Sequence, residues 1–156
     1  MEIGSYEGRS AIFFLKMFKN SKITCVDTWS GSDEHLKQNF SIIETNFDTN
    51  TKLYQNENRL KKIKTTSNVF FSNNFQSFDL IFVDGDHSSD QVKKDINNSW
   101  KILNNGGYLI LDDYLWWYYK DLTNNPAFII NNFISENLPN LSSLKVWQQV
   151  IIKKVN

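Results

Sequence analysis

The sequence predicts an α/β fold, a doubly wound and mainly parallel sheet with helices on both faces. Three observations predict it. Residues 80–83 form a short, unbroken apolar run, too short for a helix and suited to a strand buried on both faces, and residues 23–26 and 108–111 read as two further short strand runs. Apolar residues at helical spacing fill the stretches between them. Each run then ends in acid, at Asp27, Asp84 and Asp112, and in open α/β sheets ligands bind just beyond the carboxyl ends of the strands.

In chain order, residues 1–5 read as the end of a strand entering a tight turn. Gly4 and Gly8 flank Ser5-Tyr6-Glu7, and residues 9–20 follow as an amphipathic helix through Ala11, Ile12, Leu15 and Phe18. Strand, glycine turn and helix bring backbone N–H groups close to a nucleotide-like ligand, although an ordinary βα turn would look the same. The second strand, residues 23–26, ends at Asp27-Thr28-Trp29. An acid there, about 20 residues after the glycine turn, is placed to accept the ribose hydroxyls of a nucleoside. Residues 31–54 read as a loop and a helix through Leu36, Phe40, Ile43 and Phe47, and residues 59–66 as a less apolar edge strand. Residues 68–74 are a short helix capped by Ser67.

The strand at residues 80–83 delivers Asp84-Gly85-Asp86-His87, two carboxylates and an imidazole around a glycine. Ser88 or Ser89 caps the next helix, which carries Val92, Ile96, Trp100 and Leu103 and stops at Asn104-Asn105-Gly106-Gly107. The strand at 108–111 ends at Asp112-Asp113-Tyr114, and Trp116, Trp117, Tyr118 and Tyr119 follow, either as a substrate wall or as rings packing a loop. Asn125-Pro126 opens a helix through Phe133 and Ile134, and residues 144–155 form one or two strands, a hairpin if two.

The 156 residues suit one domain. Lys plus Arg and Asp plus Glu both number 17, so no charge footprint for nucleic acid or an anionic membrane is expected. Cys25 is the only cysteine, which excludes a disulfide scaffold. Neither a membrane-length apolar run nor a leader is read, and the expected compartment is the cytoplasm.

Four blocks together resemble the class I S-adenosylmethionine-dependent methyltransferases, most closely their small O-methyltransferase-like group. They are Glu2-Ile-Gly-Ser-Tyr-Glu-Gly-Arg-Ser10, Val26-Asp-Thr-Trp29, the stretch from Phe78 to His87, and Gly106-Gly-Tyr-Leu-Ile-Leu-Asp-Asp-Tyr114, in family order and spacing. The resemblance implies a Rossmann-like sheet whose first strand is cut to a stub at Met1. That stub is expected to lower stability, or to be completed by another segment or by a second subunit in a homo-oligomer. The resemblance places Glu2, Gly4, Ser5 and Gly8 around the methionine moiety of S-adenosylmethionine, with Asp27 on the ribose, Thr28 and Trp29 beside the adenosine, and Ser67 near the adenine. Asp84 borders the cofactor too. Tyr6 stands where the family more often has glycine. A divalent ion, Mg²⁺, is implied at Asp84, Asp112 and Asp113, with His87 as catalytic base and Asp84 beside it in the chemistry.

The implied reaction is O-methylation of a small-molecule hydroxyl, sugar or catechol-like. Plainer roles stay open: Asp84 as a loop cap, Asp112 as a brace on adjacent backbone, His87 as a helix cap. An inactive binding protein on the same fold is the alternative. A nicotinamide-dependent oxidoreductase fits less well, because Gly4 to Gly8 lacks the denser Gly-x-Gly-x-x-Gly turn.

Overall fold

The computed structural model describes residues 1–31 and 38–155, so Leu36 of the expected second helix lies outside the described residues. The chain divides into two compact units, Met1–Phe70 and Phe71–Asn156.

In the first unit, β1 (Glu2–Ile3), α1 (Arg9–Met17), β2 (Ile23–Asp27), α2 (Phe40–Asn56) and β3 (Leu60–Lys64) alternate. β1 and β3 both pair with β2 in parallel, with Ile3 opposite Val26 and Asp27 opposite Lys64. All three strands therefore deliver their carboxyl ends to one edge. The core follows from the sequence pattern. Ala11 and Leu15 of α1 meet Ile43 and Phe47 of α2 over Ile23, Cys25 and Leu60 of the strands, with Trp29 among them. Lys62 Nζ reaches Glu44 at 2.9 Å and Asp48 at 2.8 Å, tying β3 to α2. The next helix, α3 (Ser67–Asn73), corrects one expectation. Its cap is Thr66, whose hydroxyl accepts the Val69 N–H at 3.2 Å. Ser67 is the first helical residue, because the amide that needs an acceptor lies three residues beyond Thr66.

The second unit holds β4 (Phe78–Val83), α4 (Ser89–Ile102), β5 (Leu103–Leu111), α5 (Pro126–Asn137) and the hairpin β6 (Leu141–Val146) and β7 (Val150–Lys154). β4 and β5 are parallel, whereas β7 runs antiparallel to both β5 and β6. Ile81, Leu109, Leu111, Ile130, Val150 and Ile152 are fully buried here. The strands thus make a mixed, mostly parallel, helix-flanked α/β fold of Rossmann-like type. Among the described residues no helix is long and apolar enough to cross a membrane.

Asn104 to Gly107 depart from the sequence expectation. They form no loop after α4 but a bulge inside β5, where the register passes from Phe78 opposite Leu103 to Leu80 opposite Tyr108. Gly106 takes a φ of 73°, and a Cβ on Gly107 would sit 2.8 Å from the Asn104 carbonyl and 2.9 Å from that of Asp79. Two glycines that read as a helix stop thus serve a strand that bends close to its neighbour. The C-terminus of α4 is satisfied from a distance instead. Lys154 Nζ donates to the carbonyls of Trp100 and Leu103, each at 2.9 Å, while lying over the Trp100 ring. Lys154→Met should lower stability by roughly 1–3 kcal/mol, the scale of charge-assisted hydrogen bonds at a helix end. Urea denaturation measures it, and an unchanged midpoint would remove this cap from the account.

Candidate active site

Residues of β1, its turn and β2 converge in the first unit. Asp27, last in β2, accepts the backbone N–H of Ser5 at 2.7 Å and of Tyr6 at 2.9 Å on one oxygen. Its other oxygen accepts the N–H of Trp29 at 2.7 Å. A carboxylate offers about four acceptor positions, so one remains. Gly4 and Gly8 have φ of 79° and 83°, and Tyr6 between them takes 44° without being glycine. Gly8 is also crowded, since a Cβ there would lie 2.7 Å from Thr51 Cγ2. Ser5 donates its hydroxyl to Glu2 at 2.6 Å, and Glu2 is fully buried beneath the turn. Thr28 is half-buried and accepts the Ser30 N–H at 3.2 Å. Ser67 lies three residues past Lys64, the register partner of Asp27, on the same strand-end edge. Trp29 is only 3% exposed.

Below this turn, burial and then the charge of Glu2 push the Cys25 thiol well above its usual range. It stays protonated and serves as a core residue.

In the second unit, β4 and β5 end side by side, with Val83 opposite Leu111. Asp84 and Asp113 flank His87, whose Nε2 lies 2.8 Å from Asp113 and 4.0 Å from Asp84. One ligand atom from each of the three falls within 4.8 Å of the others. Burial pushes the Asp84 carboxyl up to about 6. The His87 hydrogen bond opposes that rise, and the charges of Asp112 and Asp113 add to it. Asp113 has a φ of 51°, and Asp112 accepts the Asp113 N–H at 2.9 Å, so Asp112 braces the backbone that aims Asp113. The Trp116 ring lies 4.8 Å from that of His87, and its indole N–H is buried without a hydrogen-bond partner among the described residues. Trp117 and Tyr118 are exposed instead, so the aromatic run divides between packing and solvent.

Residues 1–114 match the family model described as a methyltransferase domain. The chain belongs to this family. It also matches an uncharacterized protein of Acanthamoeba polyphaga mimivirus at 30% identity over 119 residues, 73% of this chain. The chain spans 50% of that relative's length. Among solved structures, the O-methyltransferase NovP superposes with a TM-score of 0.70 at 13% identity, covering 100% of this chain and 72% of its own. MycE from the mycinamycin pathway, in complex with Mg and S-adenosylhomocysteine, gives 0.68 at 16%, covering 99% and 44%. A Podospora anserina methyltransferase bound to S-adenosylhomocysteine gives 0.67 at 18%, covering 99% and 70%. The fold is that of the class I S-adenosylmethionine-dependent methyltransferases of O-methyltransferase-like type.

On this methyltransferase fold, the first unit joins Gly4, Ser5, Asp27 and Trp29 in one hydrogen-bonded turn, with Glu2 beneath and Gly8 at the start of α1. The second joins Asp84, His87 and Asp113, while Asp112 contributes through backbone. Sequence reasoning did not single out Tyr6 as part of the site. Its signal was present, an L-residue at the position where the family prefers glycine.

Proposed function

We propose that this methyltransferase moves the methyl group of S-adenosylmethionine to a hydroxyl oxygen of a small molecule, sugar or catechol-like, with a divalent cation at the carboxylates beyond β4 and β5. The convergence of Asp84, His87 and Asp113 carries the reading. Oxygen donors suit Mg²⁺, and a cation would offset the repulsion that helps raise Asp84. A carboxyl at about 6 is ionised at neutral pH and free to act as a ligand. The MycE relative, described with Mg and S-adenosylhomocysteine, supports the same chemistry.

S-adenosylmethionine supplies a methyl on a sulfonium, and a bound cation supplies Lewis acidity that lowers the pKa of an acceptor hydroxyl. The chain's residues do the rest. Backbone at Gly4, Ser5 and Gly8, underpinned by Glu2, would hold the methionine moiety, and the remaining acceptor position of Asp27 a ribose hydroxyl. Thr28 and Ser67 would border the adenosine. Asp84 and Asp113 would hold the cation, with Asp112 fixing the Asp113 backbone. His87, oriented by Asp113, would take the hydroxyl proton, a task an imidazole performs near neutral pH.

A second reading makes His87 the third ligand, and the shared 4.8 Å cluster favours it. The test is methyl transfer to a panel of sugar and catechol-like acceptors, first with chelator and then with added Mg²⁺. Transfer should vanish with chelator and return with Mg²⁺; activity untouched by chelation would remove the cation. His87→Ala should lower the rate about 100- to 10,000-fold, the range of general acid–base catalysis. Mn²⁺ titration of that variant decides between the readings: unchanged affinity makes His87 the base, weakened affinity makes it a ligand. A folded protein that binds donor yet methylates nothing would favour the inactive binding protein.

A further inference from the structure

We propose that Trp29 is a positioning residue for the methyl-donor turn, acting through Tyr6 and Asp27 and not by touching the donor; this rests on the donor reading above. The sequence suggests an adenosine neighbour, yet the ring is 3% exposed and offers no free face. Its polar groups are spent on the turn. The indole N–H donates to the Tyr6 carbonyl at 2.9 Å, and the Trp29 backbone N–H donates to Asp27 at 2.7 Å. Asp27 in turn accepts the Tyr6 N–H at 2.9 Å, so Tyr6, Asp27 and Trp29 close a ring of hydrogen bonds.

Two members of that ring hold unfavourable backbone. Tyr6 has a φ of 44° and Trp29 of 47°, in the left-handed region that L-residues enter only when their surroundings hold them there. For Tyr6 the holding groups are Asp27 on its amide and Trp29 on its carbonyl, one on each side of the strained residue. The indole itself is fixed from the core. Its ring centroid lies 4.7 Å from that of Phe47, and Lys62 Nζ sits 4.6 Å from the ring, held there by Glu44 and Asp48. Trp29 therefore carries the position of α2 and β3 to the peptide of Tyr6. With it go the shape of the turn and the one acceptor position left on Asp27.

Trp29→Phe keeps an aromatic ring between Phe47 and Lys62 and removes the indole N–H together with the pyrrole part of the ring, whose lost packing lowers Tm on its own. Calorimetric titration of the full chain with S-adenosylhomocysteine should show affinity about tenfold weaker in Trp29→Phe, near 1.4 kcal/mol. A merely structural residue would lower Tm and leave that affinity unchanged, and this result overturns the inference. The indole N–H resonance of Trp29 gives a second readout that does not depend on the folding of Trp29→Phe; it is assigned by elimination in tryptophan-labelled protein carrying Phe at the other four positions in turn. It should move when S-adenosylhomocysteine binds, although the ring is buried, and a resonance that stays in place at saturation overturns the inference too. Wild-type protein that binds no S-adenosylhomocysteine overturns the donor reading and this inference with it.

Discussion

Asp84→Asn is expected to lower methyl transfer by about 100- to 1,000-fold at saturating donor, the scale of several kcal/mol of lost transition-state stabilisation. The same change should leave the cation-free protein as stable as wild type at pH 8, or more so. Asp84 is pushed up to about 6 chiefly by burial, with the charges of Asp112 and Asp113 adding to it. The sign follows from that direction. A carboxyl raised in the folded state favours folding while it is protonated, and this contribution fades as pH rises from about 3.8 through about 6. Above that window the charge opposes folding, and Asn removes it. Mg²⁺ should then raise the Tm of wild type and not that of Asp84→Asn. Equal activity in the two proteins, or equal Mg²⁺ stabilisation, would take Asp84 out of the cation site. Loss of activity accompanied by a large fall in cation-free stability would make it a structural residue.

Asp27→Ala should abolish detectable donor binding. The sequence alone suggests the loss of a ribose contact, worth about 1–3 kcal/mol. The structure makes the consequence larger, because the N–H groups of Ser5, Tyr6 and Trp29 lose their acceptor together. Tyr6 and Trp29, both at positive φ, would then relax and carry the turn away from the donor. The measurement is the Tm shift on adding S-adenosylhomocysteine. At 100 times Kd the wild type should gain about 2.7 kcal/mol of stability, and the variant none. A full shift in Asp27→Ala would show that the donor is held elsewhere.

How much of this was legible in the sequence varied with the kind of interaction. The strands ending at Asp27, Val83 and Leu111 could be read, since an apolar run that stops at an acid needs only local pattern. So could the helices, whose buried positions Ala11, Leu15, Ile43, Phe47, Val92 and Ile96 recur at helical spacing. What escaped reading depends on a partner far along the chain. Asn104 to Gly107 look like a helix stop, and only the approach of Asp79 turns them into a strand bulge. Lys154, 54 residues from Trp100, supplies the cap that those residues were expected to supply.

The candidate site shows the same division. That Asp84, Asp112 and Asp113 gather beyond neighbouring strands is a matter of strand order and length. Which of them meet through side chains depends on the positive φ at Asp113, and a sequence pattern does not carry a dihedral angle. The left-handed Tyr6 is the converse case, where the resemblance marks the unusual residue and only its hydrogen bonds, donated to Asp27 and accepted from Trp29, explain why it is tolerated.

The central claim is that the turn from Gly4 to Gly8, closed by Asp27, receives a methyl donor. Calorimetric titration of the folded wild-type chain with S-adenosylhomocysteine, and separately with reduced nicotinamide cofactor, tests it most directly. The account predicts saturable one-to-one binding of S-adenosylhomocysteine and no saturable binding of the nicotinamide. A well-folded chain that takes up no S-adenosylhomocysteine, or that prefers the nicotinamide, would contradict it.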